Sequence, residues 1–118
     1  MHNQLTLTEY QASARRTVPS DAARTELIAN FALGLVCEAG EAGDVIKKHL
    51  FHHHGLDRDD LVKELGDVLW YLSNVAGMFD ITLEEVAQTN IDKLKKRYPD
   101  GFSARDSVSR VDELAGEV

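Results

Sequence analysis

Apolar residues recur at three- and four-residue steps along most of the chain, and no stretch alternates with the two-residue period of a strand. The pattern predicts helices throughout. Thr8 with Gln11 reads as a capping box opening a first helix through about Arg16, and Val18-Pro19-Ser20 breaks it, because proline disfavours a helical residue before it. A long second helix follows from about Asp21 or Thr25 to Leu50, with Ile28, Leu35, Ala39, Ala42 and Ile46 as its packing stripe. The stretch from Phe51 to Leu56 is a loop. Asp57 with Asp60 caps a third helix reaching about Phe79 on the stripe Leu61, Leu65, Val68, Leu72, Val75 and Phe79. Its opposite face is not polar either, since Gly66, Trp70, Ser73 and Gly77 line up there. A helix apolar on nearly all sides is buried on all sides, so that face is expected to meet another subunit. Asp80-Ile81 makes a turn, and Thr82 with Glu85 caps a fourth helix that Pro99-Asp100-Gly101 ends. Leu83, Ala87, Ile91 and Leu94 form its stripe. Residues 103–118 read as a loosely attached polar tail, with Val108, Val111 and Leu114 at most a marginal helix.

Composition narrows the class. At 118 residues the chain is expected to be one domain, small enough to gain from oligomerisation. A net charge of −7 argues against nucleic acid or an anionic membrane as the main partner. Cys37 is the single cysteine, which excludes an internal disulfide and suits a reducing compartment. No apolar run approaches membrane-spanning length and the start MHNQLTLTEY lacks a signal-peptide pattern, so a cytoplasmic location is expected.

Two acidic signatures carry the candidate chemistry: Glu38-Ala39-Gly40-Glu41 and Glu64-Leu65-Gly66-Asp67. Each sets two carboxylates at i and i+3 on one helix face, on the flank of an apolar stripe. The two helices are consecutive and joined by a short loop, hence antiparallel neighbours. The first pair lies about ten residues before the loop and the second about ten after it, which brings both to a similar height at about 1.5 Å per residue. Four converging carboxylates need a cation. Oxygen-only ligands select a hard divalent ion such as Mg²⁺, with Mn²⁺ as a substitute. The competing reading, four solvated surface acids, is weakened by the recurrence of the pair on facing helices. On the fourth helix Asn90, Lys93 and Arg97 recur at three- and four-residue steps. Beside a metal site they suit a polyphosphate; alone they would read as ordinary salt bridging on a charged last turn, where cations also suit the helix dipole.

The chain resembles the all-α nucleoside triphosphate pyrophosphohydrolases, specifically the MazG-like group, whose hallmark is E-x-x-E, a variable spacer and E-x-x-D. EAGE at Glu38 to Glu41 and ELGD at Glu64 to Asp67 supply it, and GLVCEAGEAGDVIKKHLF, ELGDVLWYL and NIDKLKKRYPDGF are similar to that group. The resemblance spans roughly Leu5 to Phe102, so residues 1–102 are expected to form the domain. It implies an antiparallel four-helix bundle assembled as a homodimer or homotetramer. It also implies a Mg²⁺-dependent enzyme that cleaves between the α and β phosphates of a nucleoside triphosphate, releasing the monophosphate and pyrophosphate. By that similarity Glu38, Glu41, Glu64 and Asp67 would hold metal, with Glu41 or Glu38 orienting or deprotonating the water. Lys93 and Arg97 would hold phosphate, and Asn90 phosphate or sugar.

Other features weigh less. His49 and His52 to His54 cannot all converge on one ion from a contiguous loop, so a phosphate-facing or subunit-contacting loop is the better reading. Trp70, opposite the acids, reads as an interface anchor, Tyr10 and Gln11 as residues near a base, Lys47 and Lys48 as a solvated helix end, and Cys37 as inert packing. Two other functions fit the same acids: a phosphoribosyl-ATP pyrophosphohydrolase, and a non-catalytic metal-binding helical interaction module.

Overall fold

A computed structural model of the chain describes residues 4–114; residues 1–3 and 115–118, the outer ends of the expected domain and tail, lie outside the described residues. The fold is all-α, in the order α1 (Leu7–Arg15), α2 (Arg24–Phe51), α3 (Arg58–Met78), α4 (Leu83–Arg97), α5 (Ala104–Ser109) and α6 (Val111–Leu114). The chain divides into two compact units, one up to Thr82 and one from Leu83 onward. No helix among the described residues is long and apolar enough to cross a membrane.

Local chemistry sets the helix ends. Thr6, not Thr8, caps α1: its hydroxyl accepts from the Glu9 amide at 3.1 Å, and a glutamate on the first turn complements the helix dipole better than a glutamine does. Gln11, expected in the cap, instead donates its side-chain amide to the Ser73 and Ile81 carbonyls. Asp57 caps α3, accepting from the amides of Asp59 and Asp60. At the other end of α3, Asp80 takes a left-handed φ of 57°, and the Ile81 amide reaches back to the Ala76 carbonyl at 2.9 Å.

In the first unit α3 packs against both α2 and α1. Phe31 meets Trp70, and further along α2 Glu38 lies beside Glu64, earlier on α3, so the two helices run antiparallel; between these positions of α2 Gly34 meets Tyr71. Phe31 is fully buried, its ring edge-on to Trp70, which is edge-on to Tyr71 in turn. The approach is close: a Cβ on Gly34 would lie 2.1 Å from the Tyr71 ring.

Part of the α3 face expected to meet another subunit, at Trp70, Ser73 and Gly77, is covered by the chain's own residues, while Gly66 on the same face is exposed. Ser73 is 1% exposed beneath Gln11, and the Trp70 indole donates to the Thr17 hydroxyl at 2.9 Å. A nine-residue α1 and the connection behind it do what was assigned to a partner. Meanwhile Leu65 and Phe79, placed in the expected stripe, are exposed, as are Leu33, Val36 and Val62. Cys37 is exposed as well, not packed.

In the second unit α6 packs back on α4. The expected tail is structured here: Ser103 caps α5 by accepting from the Asp106 amide, and Arg97 of α4 clamps Asp112 of α6.

Candidate metal and phosphate site

The packing row of α2 runs Ile28, Phe31, Leu35, Glu38, Ala42, Val45, in alternating steps of three and four, with Phe31 and Ala42 buried and the rest half-buried. On α3 it runs Leu61, Glu64, Val68. Glu38 and Glu64 therefore occupy positions in the packing rows themselves and not on their flanks. Glu41 and Asp67, one turn along from each, are exposed. The antiparallel packing of α2 on α3 brings Glu38, Glu41 and Glu64 together, with one carboxylate oxygen from each lying within 4.8 Å of the others. Asp67 stands outside that set yet is near enough to act on Glu38 through its charge.

Among the described residues no cation pairs with this group. The Oε2 atoms of Glu38 and Glu64 are both buried without a hydrogen-bond partner. Withdrawal from water raises the pKa of Glu38 above its ordinary value; the charges of Glu41 and Asp67, a hydrogen bond to Glu41 and the charge of Glu64 raise it further. Asp67 also acts on Tyr10, whose phenol is pushed up first by burial and then by that carboxylate. One turn beyond Glu41 the chain shows what a neutralised acid looks like. Asp44 pairs with Lys48 at 2.7 Å and with Lys47 at 3.4 Å, and its pKa falls, chiefly through the Lys48 hydrogen bond. The two lysines are thus engaged by Asp44.

Two buried carboxylate oxygens without a donor, beside a third acid and close to a fourth, cost free energy unless a cation joins them. The donor set is all oxygen, and the residues fit a hard divalent ion. A divalent ion held there would supply the positive charge that phosphate oxygens need beside carboxylates.

The cations of α4 are placed in the second unit. Asn90 and Lys93 are exposed. Arg97 is committed elsewhere: its guanidinium grips Asp112 through two hydrogen bonds, at 2.5 and 2.8 Å, reaches Glu113 at 3.4 Å and lies by the Tyr98 ring. The Asp112 bond is the main reason its pKa rises, and the same bond is the main reason that of Asp112 falls. In the histidine loop, His49 Nδ1 lies 2.8 Å from the His54 carbonyl, and His53 takes a left-handed φ of 60°. Sequence reasoning passed over Phe31, Gly34 and Tyr71, which fix the spacing of α2 and α3 one to two turns from the acids. Phe31 sits three residues after Ile28 and four before Leu35, a signal that extending the stripe would have caught.

Residues 28–102 match the family model described as the MazG nucleotide pyrophosphohydrolase domain. The chain is also similar to the "Gene 37 protein" of Mycobacterium phage L5, 38% identical over 96 residues, which is 75% of this chain and 84% of that protein. No solved structure matches.

Proposed function

The chain belongs to the MazG nucleotide pyrophosphohydrolase family, and from that premise we propose that it hydrolyses nucleoside triphosphates between the α and β phosphates in a Mg²⁺-dependent reaction. The products are a nucleoside monophosphate and pyrophosphate. One observation carries the reading: the buried, partnerless Oε2 atoms of Glu38 and Glu64 beside Glu41.

Glu38, Glu41, Glu64 and Asp67 would hold the metal. A divalent ion held there would supply Lewis-acid polarisation of the phosphoryl group and a water of lowered pKa. The carboxylates do the rest. Glu38 and Glu64 are fixed by their places in the packing rows and present oxygens that need no reorganisation to accept a cation. Glu41 is exposed beside Glu38, which suits it to orient a water and take its proton as the water oxygen bonds to phosphorus. The bridging oxygen then leaves with the pyrophosphate. Lys93, Arg97 and Asn90 are the candidates, on their chemistry, for neutralising and orienting phosphate oxygens; Arg97 would have to share its guanidinium with Asp112.

We also propose a homo-oligomeric assembly, a dimer or tetramer, that closes a bundle. Its support is the exposure of Leu33, Val36, Val62 and Leu65, a set of large apolar side chains on the two long helices. Incubating the protein with canonical and damaged triphosphates, with and without EDTA, and identifying the products tests the activity. Pyrophosphate and monophosphate released with Mg²⁺ are expected. Equal turnover by wild type and a Glu38→Ala, Asp67→Ala double variant would leave only a non-catalytic metal-binding module.

A further inference from the structure

Away from the acids along α2 and α3, the α1–α2 connection leaves a cleft of about 490 Å³ over the C-terminal turns of α3. Leu27, Phe31 and Met78 give it apolar walls, and Arg15, Arg24 and Asn74 give it polar ones. Phe31 precedes Glu38 by seven residues and Asn74 follows Asp67 by seven. At 1.5 Å per residue that separates the cleft from the acids by about 10 Å along the helices.

The polar groups here are built in and underused. Among the described residues the Arg15 guanidinium has no hydrogen-bond or ion-pair partner. It passes over Gly77, where a Cβ would come within 3.7 Å of its Nη1. Arg24 spends one N–H on the Met78 carbonyl, at 2.6 Å, and lies over the Phe79 ring. Its remaining N–H groups are available. Asn74, 5% exposed, donates to the Trp70 carbonyl and keeps its own carbonyl oxygen without a partner among the described residues. An adjoining hollow of about 220 Å³ shares Arg15 and Asn74, and its wall includes Ser73, whose hydroxyl is buried and partnerless. In a chain of net charge −7 the cleft sets two guanidiniums against one carboxylate, Asp80.

We propose that this cleft binds a small phosphate monoester carrying a flat apolar group, at a site separate from the acid pairs and without metal. Guanidiniums hold a phosphate through charge-assisted hydrogen bonds. The walls of Phe31, Leu27 and Met78 take the flat group, with the Asn74 carbonyl and Ser73 hydroxyl as acceptor and donor beside it. The volume lies in the range of small-molecule sites. A nucleoside monophosphate belongs to this class, so the cleft is a candidate seat for a product or regulator of a nucleotide-cleaving enzyme.

Trp70 is the chain's single tryptophan and lies 5.6 Å from the Phe31 ring, so its fluorescence reports on the cleft. The experiment titrates full-length protein with adenosine monophosphate and with phenyl phosphate, in EDTA. A saturable change is expected with at least one of them. It should survive in Glu38→Gln, Glu64→Gln protein, weaken about tenfold or more in Arg15→Gln and Arg24→Gln, and be displaced by inorganic phosphate. Arg15→Lys should restore part of the affinity, and circular dichroism checks that each variant is folded. The proposal is overturned by no saturable change with either ligand, by binding that vanishes in the Glu38→Gln, Glu64→Gln variant, or by unchanged affinity once both arginines are replaced. Because the titration needs neither metal nor turnover, its outcome is independent of whether the triphosphatase reading holds.

Discussion

Glu38 and Asp112 are both carboxylates drawn back from water on a helix, and the chain treats them in opposite ways. Asp112 has a guanidinium across from it, fork to fork, and its pKa falls. Glu38 has three other acids near it and a buried oxygen with no donor, and its pKa rises. One site is electrostatically complete; the other lacks a positive charge. A fold that supplies arginine at Asp112 and lysine at Asp44 is not short of cations. That none of the described residues supplies one to Glu38 or Glu64 is therefore best explained by a ligand that brings the charge with it.

The hardest test of that contrast is to remove the acids. Loss of groups that merely orient metal ligands costs roughly 10- to 100-fold in activity, so loss of a ligand should cost more. Glu38→Ala or Glu64→Ala is expected to lower pyrophosphate release by more than about 100-fold, measured at saturating Mg²⁺. Asp112→Asn should leave the metal requirement unchanged, read as the Mg²⁺ concentration for half-maximal rate. A second effect needs no turnover. Mg²⁺ at a hundredfold over its Kd should stabilise the protein by about 2.7 kcal/mol, visible as a higher Tm. Glu38→Gln, Glu64→Gln should abolish that gain and be more stable than wild type in EDTA, because two unneutralised acids are gone. A Tm that ignores Mg²⁺ in wild type would remove the reason for the contrast.

The next effect is smaller and concerns spacing. Gly34 lets the Tyr71 ring lie against α2 one turn from Glu38, and an alanine Cβ there would collide with it. Tyr71 is held in turn by Trp70, so relief requires the helices to part. Gly34→Ala should cost about 1–3 kcal/mol in urea unfolding and weaken Mg²⁺ binding. Full stability with unchanged metal affinity would mean the ring can swing aside at no cost.

Much of this was legible in the sequence. Helix periodicity gave all-α, the proline and the Pro99-Asp100-Gly101 stop gave breaks, and the equal distances of EAGE and ELGD from one loop gave convergence. The stripe was counted through Ala39 and Ile46, which are exposed; counting through Phe31 puts Glu38, half-buried, in the packing row itself. The covering of Ser73 and Trp70 by Gln11 and Thr17 was not legible. It depends on contacts more than fifty residues apart, and a short α1 shows too little apolar pattern to announce what it covers. The Arg97–Asp112 clamp spans fifteen residues across a turn, in a stretch whose pattern is weak. Arg97 therefore read as a phosphate-binding cation, with ordinary salt bridging only as the alternative.

The smallest effect is also the cleanest separation of the two carboxylates, because they should shift stability with pH in opposite directions. Asp112 has its pKa lowered from 3.8, so the unfolded chain binds the proton more readily. Its contribution is present above that value and is lost as pH falls through the lower, folded pKa. Glu38 has its pKa raised from 4.5, so the folded state holds the proton more tightly. Its contribution is present below 4.5 and is lost as pH rises through the higher, folded pKa. In EDTA, the stability difference between wild type and Asp112→Asn should therefore shrink toward the acid end, and that between wild type and Glu38→Gln should turn against wild type toward neutrality. Urea midpoints from about pH 3 to about pH 8 read both. Saturating Mg²⁺ should reverse the Glu38 trend, since a bound cation favours the deprotonated acid, and leave the Asp112 trend in place. If the two differences slope the same way without metal, Glu38 is already neutralised by the chain itself and has no use for an ion.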